Sequence, residues 1–244
     1  MSKTNDAEQI AVLSERLKSA LHLSIEPIGI AFSDVRPDEI GFFDDPVAEP
    51  DSDGRSGRVS AGCVFWMKSV EKTFTTRPQD HGNCSVGSFT HGLLDMSQIA
   101  GNNDVAALLG SGWVDEAAVA GIPFVTRKHN FITYGPLSAG EFVPDVVLLR
   151  LNARQMMIIS DAVDVQIEGK PQCHIVAIAK EQGKVAASVG CALSRARTGM
   201  LAHEMTCAIP FALLADTVAK IENAAKIDSE VAKYAAADAR RFAG

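Results

Sequence analysis

Cys84-Ser-Val-Gly-Ser-Phe-Thr-His-Gly92-Leu93 and Cys191-Ala-Leu-Ser-Arg-Ala-Arg-Thr-Gly199-Met200 follow one pattern: cysteine, seven residues, glycine, then a large apolar side chain. The second copy starts 107 residues after the first. Other features repeat around them in the same order. A strand at 28–32 precedes a helix opening at Gly62-Cys63, and a strand at 146–151 precedes a helix opening at Gln172-Cys173. Each helix leads into a short strand and then into a Cys-x7-Gly loop. Beyond the loops, Ala107-Leu-Leu109 matches Ala212-Leu-Leu214. The offsets drift from 110 at the helix cysteines to 107 and then 105, as small insertions and deletions would leave them. This order predicts a mixed α/β (α+β) fold. Two related strand–helix–strand halves would sit about a pseudo-two-fold axis, with a sheet covered by helices.

Working outward, Ile10, Leu13, Leu17 and Leu21 mark one face of a helix over 6–22, with Asn5 or Asp6 to cap it. Pro27–Phe32 reads as a buried strand. Cys63, Trp66, Met67 and Val70 keep helical spacing, with Cys63 on the buried face. Residues 73–76 read as a short strand, 93–110 and 113–120 as helical, and 123–126 and 130–134 as strands. Asp145–Leu151 is a continuous apolar run of the kind buried on both faces of a sheet. Then follow a helix at 153–162, another at 173–180, strands at 184–189 and 204–209, and helices at 211–225 and 228–242. The domain reading is an N-terminal helix (1–24), a first half (25–122), a second half (123–226) and a C-terminal helix (227–244), all in one compact domain. Val231, Tyr234, Ala235 and Phe242 share a face of that last helix and offer a contact to the body or to a second copy in a homo-oligomer. Residues 34–58 crowd acidic side chains among Pro37, Pro46 and Pro50, which predicts a long loop, either a solvated surface segment or a lid.

The 244 residues carry a net charge of −7, with 47% apolar and 22% charged residues. That balance argues against nucleic-acid or anionic-membrane partners. No apolar run is long enough for a membrane span, and the N-terminus lacks the apolar core of a signal peptide. A cytoplasmic location is expected. Five cysteines, an odd number without Cys-x-x-Cys, predict reduced thiols rather than a disulfide framework. No P-loop, Gly-x-Gly-x-x-Gly or Gly-x-Ser-x-Gly is present, so nucleotide and α/β-hydrolase chemistry have no support.

Several segments resemble one family. Pro27-Ile-Gly-Ile-Ala-Phe32, Gly62-Cys63 and the Cys84 loop are similar to the first half of DUF169 proteins. Tyr134-Gly-Pro-Leu137, Pro144-Asp-Val-Val-Leu148 and Ala153-Arg-Gln-Met156 are similar to their central signature, and Gly190-Cys191-Ala-Leu-Ser-Arg195 through Thr198-Gly199 to their C-terminal one. The resemblance covers about residues 10–225. It bears on the fold boundary and carries over no catalytic role; the acidic stretch 34–58 stands apart from the pattern.

The residues themselves suggest three kinds of chemistry. In the first, the chain is an enzyme acting on a small organic substrate, a carboxylate or an aromatic, without nucleotide or other cofactor, by lyase or isomerase steps. Cys84 is then the nucleophile, with His81 or Arg77 favouring its thiolate. Cys191, Arg195 and Arg197 form the second loop, whose guanidinium groups suit a carboxylate. Glu204 is a candidate general base and Tyr134 a proton donor. The competing reading of each is structural: a small buried thiol, or an ion pair. In the second, Cys63, Cys84, Cys191 and a fourth ligand hold zinc or an iron–sulfur cluster. In the third, the chain is a non-catalytic small-ligand accessory protein. Cys63 and Cys173 open helices at equivalent places, but their apolar neighbours favour core packing, and His174 and His203 have no partner at a recognisable spacing.

Overall fold

The structure, a computed structural model, describes residues 3–44, 62–82 and 84–242. Most of the acidic stretch, from 45 to 58, lies outside the described residues, and so does the expectation of a lid there.

The first helix, α1 (Lys3–Leu21), buries Ile10, Leu17 and Leu21 as its spacing requires. Then come β1 (Ile28–Ser33), α2 (Gly62–Lys68), β2 (Phe74–Thr76) and α3 (Ser85–Thr90). Three short helices follow, α4 (Met96–Ile99), α5 (Asn103–Gly110) and α6 (Glu116–Ala120), before β3 (Phe131–Pro136). The second part runs β4 (Val146–Asn152), α7 (Ala153–Ala162), β5 (Gln166–Glu168), α8 (His174–Gln182), β6 (Ala186–Ser188), α9 (Ala192–Thr198), β7 (Glu204–Pro210) and α10 (Leu214–Ala239).

One seven-stranded sheet collects all the strands in the order β2-β3-β1-β4-β7-β6-β5. Every pairing is antiparallel except β5 with β6. The fold is therefore mixed α/β on a mostly antiparallel sheet. Period-two alternation divides its core. Val146 and Leu148 of β4 face one side, with Phe65, Trp66, Ile175 and Ile178 of α2 and α8. Val147, Leu149 and Leu151 face the other, with Leu17, Ile159, Leu214, Val218 and Ile221 of α1, α7 and α10. This two-sided burial is why 145–151 reads as an unbroken apolar run.

Three expectations need correction. Residues 123–126 are not a strand: the Val125 N–H donates to the Thr90 carbonyl at 2.9 Å, tying the segment to the end of α3. The two helices expected at 211–225 and 228–242 are one 26-residue helix, α10, since nothing between them breaks the ladder. The Cys-x7-Gly segments are not loops but short helices. Cys84 and Cys191 stand at the N-cap positions of α3 and α9, and Gly92 (φ 69°) and Gly199 (φ 63°) follow them in left-handed backbone. A Cβ on Gly92 would lie 2.4 Å from the Val125 carbonyl oxygen, so glycine is required there. The apolar residue after each glycine, Leu93 or Met200, is buried. The shared pattern thus encodes a start, a turn or two of helix, and a stop.

Candidate cysteine pocket

Four of the five cysteines line one pocket. Cys63 lies in the first turn of α2, Cys84 precedes α3, Cys173 precedes α8 and Cys191 precedes α9. The walls between them include Gly87, Trp113, Ser194 and Arg197. Its free space is about 30 Å³, two or three times what one water needs. The Gly87 N–H reaches the Cys84 sulfur at 3.4 Å. Cys84, Cys173 and Cys191 are buried and Cys63 is half-buried.

Burial dominates the electrostatics. It pushes the Cys63 thiol up to about 11, and the neighbouring Cys84 adds to the rise. It holds Cys173 well above the usual thiol range, again with Cys84 as the next contribution. Both stay protonated at neutral pH, because burial outweighs the nearby Arg197 charge that favours the Cys63 thiolate. Arg197 is the cation in the lining: burial works against its charge, but the Cys84 sulfur beside it favours it and raises its pKa. A bound metal would reverse this logic, because coordination deprotonates a thiol outright. Among the described residues no group of three or more His, Cys, Asp or Glu side chains is placed to hold a metal ion.

The other candidates lie elsewhere. His81 turns to the Thr76 hydroxyl (2.9 Å) within a buried aromatic cluster containing Phe65, His91 and Tyr134. Burial holds its pKa well below the usual imidazole value, which makes it a poor base for Cys84. Tyr134 is fully buried, and burial raises its phenol well above its ordinary pKa, so it is neutral. Arg77 lies 4.5 Å over the Phe42 ring and pairs with Asp80. Arg195 donates to the carbonyls of Val189 (2.8 Å), Glu204 (2.9 Å) and Leu201, so it fastens the start of α9 instead of facing a ligand. Glu204 pairs with Arg150 and accepts from the Leu201 N–H at 2.5 Å. It faces the opposite side of the sheet from Cys207, as the odd spacing requires, and Cys207 sits in the other core, where burial pushes its thiol up to about 12. Glu168 lies 3.7 Å from His174.

Of the predicted set, then, Cys63, Cys84, Cys191 and Arg197 come together. His81, Tyr134, Arg77, Arg195 and Glu204 do not join them. Cys173 is the member that sequence reasoning assigned to the core. The signal that finds it is its equivalence to Cys63 in the repeated order of features.

These observations define a mixed α/β protein whose distinguishing site is a four-cysteine pocket. The chain belongs to the DUF169 family, described as "Uncharacterised ArCR", whose match extends over residues 16–220. No curated protein and no solved structure is similar enough to match. Among the described residues no helix is long and apolar enough to cross a membrane.

Proposed function

We propose that the chain carries an iron–sulfur cluster in the four-cysteine pocket and works as a redox or cluster-bearing protein. The observation that carries this reading is the convergence of Cys63, Cys84, Cys173 and Cys191 on one cavity from four separate helix starts. Thiolates are the usual ligands of such clusters, four cysteines to a 2Fe–2S or 4Fe–4S centre. Four cysteines are also a ligand set of structural zinc, which sulfide and zinc analysis separates from a cluster. Arg197 offers partial charge compensation. When bound, the cluster would supply one-electron transfer; among the described residues the lining supplies four ligands, an apolar wall and the Arg197 cation.

A cofactor-free lyase or isomerase has less support. Its nucleophile and base, Cys84 and His81, face different surroundings, and the thiols of Cys63 and Cys173 are held protonated.

The same reading extends to the origin of the fold. The sheet order reads β2-β3-β1 from one end and β6-β7-β4 from the other, inside the extra strand β5. β3 and β7 both end in a proline followed by a 3-10 turn, at Pro136 and Pro210. This symmetry supports an old duplication, for which a boundary after β3, in 137–145, suits the strand order. Each half would then contribute one cysteine from the start of α2 or α8 and one from a Cys-x7-Gly helix.

The test is anaerobic purification of the full chain, with analysis of iron, acid-labile sulfide and zinc beside a visible spectrum. Expected are iron and sulfide in matching amounts, a brown colour that bleaches on reduction, and loss of both in Cys84→Ser and Cys173→Ser. Stoichiometric zinc without sulfide, or no metal at all, overturns the cluster.

A further inference from the structure

The pocket has a neighbour. A second cavity, also with about 30 Å³ of free space, shares Cys63, Gln172 and Ser194 with the first. Its floor is the β4–β7 pair, where Arg150 and Thr206 stand directly opposite each other. Trp66 and Met67 of α2 form one wall. Three side chains in this lining are at least nine-tenths buried, with relative exposures of 4% for Trp66, 3% for Gln172 and 3% for Thr206. Among the described residues the Trp66 Nε1, Arg150 Nε, Gln172 Oε1 and Thr206 Oγ1 atoms have no hydrogen-bond partner. Buried polar atoms are ordinarily paired, so four on residues that line one cavity point to a missing partner.

Their chemistry describes that partner. Trp66 and Arg150 can only donate, Thr206 can donate, and Gln172 Oε1 can only accept. Gln172 donates from Nε2 to the Ser194 hydroxyl at 2.5 Å, with Oε1 at the other end of the amide. Arg150 also places one N–H on the Met67 sulfur, 2.7 Å away, a weak acceptor that an oxygen would displace. The cavity therefore asks for a ligand with a strong acceptor oxygen and one donor. Charge excludes an anion. Arg150 is matched by Glu204, and the lining also contains Glu26. Burial works to raise the Glu26 carboxyl, but Lys18 at 2.8 Å and the Ser138 N–H hold it below the usual value and ionised. Among the described residues of this lining, no positive charge is left over for a carboxylate.

We infer that this second cavity binds a small neutral carbonyl compound, with a primary carboxamide group as its most complete match: the C=O takes the Trp66, Arg150 and Thr206 donors and the N–H meets Gln172. The inference stands apart from the cluster, since none of its four polar atoms belongs to a cysteine. Binding here would set a ligand beside Cys63, the residue common to both cavities.

The experiment uses metal-free full-length chain carrying Trp113→Phe, so that Trp66 is the one tryptophan reporting. Propionamide is titrated against Trp66 emission, with propionate and propanol as comparison probes. Expected is a saturable change with propionamide and at least tenfold weaker binding of propionate. Thr206→Val should weaken propionamide about fivefold, the value of one neutral hydrogen bond, and Thr206→Ser should restore it. No saturation, which would mean that ordered water alone meets these atoms, overturns the site. So does propionate or propanol binding as well as the amide, or a Thr206→Val response equal to that of the parent.

Discussion

Arg197, in the last turn of α9, reaches the sulfur of Cys84 at the start of α3. The contact joins the two Cys-x7-Gly helices across the pocket and sets a cation of the lining against one of its four sulfurs. Arg197→Met removes that cation while keeping much of the packing volume. Reconstituted iron should fall severalfold in this variant, and Arg197→Lys should recover part of it. Iron per chain, measured after anaerobic reconstitution, decides the matter.

The buried thiols predict an alkaline limb. Cys63 in the folded chain titrates at about 11 against an ordinary 9.0, and Cys173 titrates higher than usual too. Folding favours the neutral thiol, so the stability is fully present below pH 9 and is lost as pH rises toward 11 and beyond. Urea midpoints of the metal-free protein should decline over that window. With the pocket loaded, the sulfurs are already thiolates and the decline should flatten. An unchanged slope on loading would count against the four cysteines as ligands.

The acid limb comes from histidine. Burial lowers His91 to about 4 from 6.5 and holds His81 well below its usual value. Both fold as neutral rings, so their contribution is present above pH 6.5 and is lost as pH falls toward 4. For His91 the shift corresponds to about 3 kcal/mol. His91→Gln should remove most of that acid dependence. Its Nδ1 hydrogen bond to the Gly87 carbonyl, 2.7 Å, is the contact a glutamine amide can replace.

Asp145 fastens the middle of the sheet. Its carboxylate accepts from the Phe32 N–H at 2.7 Å and pairs with Lys180 at 3.2 Å. Its backbone N–H donates to the Ile30 carbonyl, and its carbonyl accepts from Phe211. Asp145→Ala leaves the Phe32 N–H without its acceptor and should cost roughly 1–3 kcal/mol, read as a lower midpoint in chemical denaturation. Asp145→Asn should cost less.

Gly92→Ala tests the stop signal in the pattern. The φ of 69° and the 2.4 Å approach to the Val125 carbonyl oxygen both oppose a side chain. A loss of at least about 1 kcal/mol is expected, against a smaller loss for Gly199→Ala, where nothing lies within 4 Å of the added carbon. Equal losses would mean that backbone strain, not the clash, sets the cost.

Much of the fold was legible where one side chain period ran unopposed. The 145–151 run and the α1 face gave their elements because burial there follows a single rule. The ends of the repeats were harder. A six- or seven-residue helix such as α3 or α9 is too short to show a period, and its Gly, Ser and Thr content reads as loop. The candidate site was legible in its sulfurs but not in their companions. His81 lies three residues before Cys84 yet turns to Thr76, a contact that depends on β2 and cannot be read from spacing. Cys173 looked like core because its neighbours Ile175 and Val176 are core. Trp66, Arg150 and Thr206 come from α2, β4 and β7 and Gln172 from the turn before α8, and only the folded sheet brings them together.

The seam between β1 and β4 is short: Ile28 with Leu148, Gly29 with Val147 and Ile30 with Val146. Cys63 and Cys84 belong to the segments before β4, and Cys173 and Cys191 to those after it. A group bound by all four sulfurs would therefore act as a cross-link over that seam, closing a loop of about a hundred residues. By chain entropy alone such a closure is worth about 4–5 kcal/mol. Loss of the bound group would then register first as a loosening of the two sheet segments against each other, before either one unfolds.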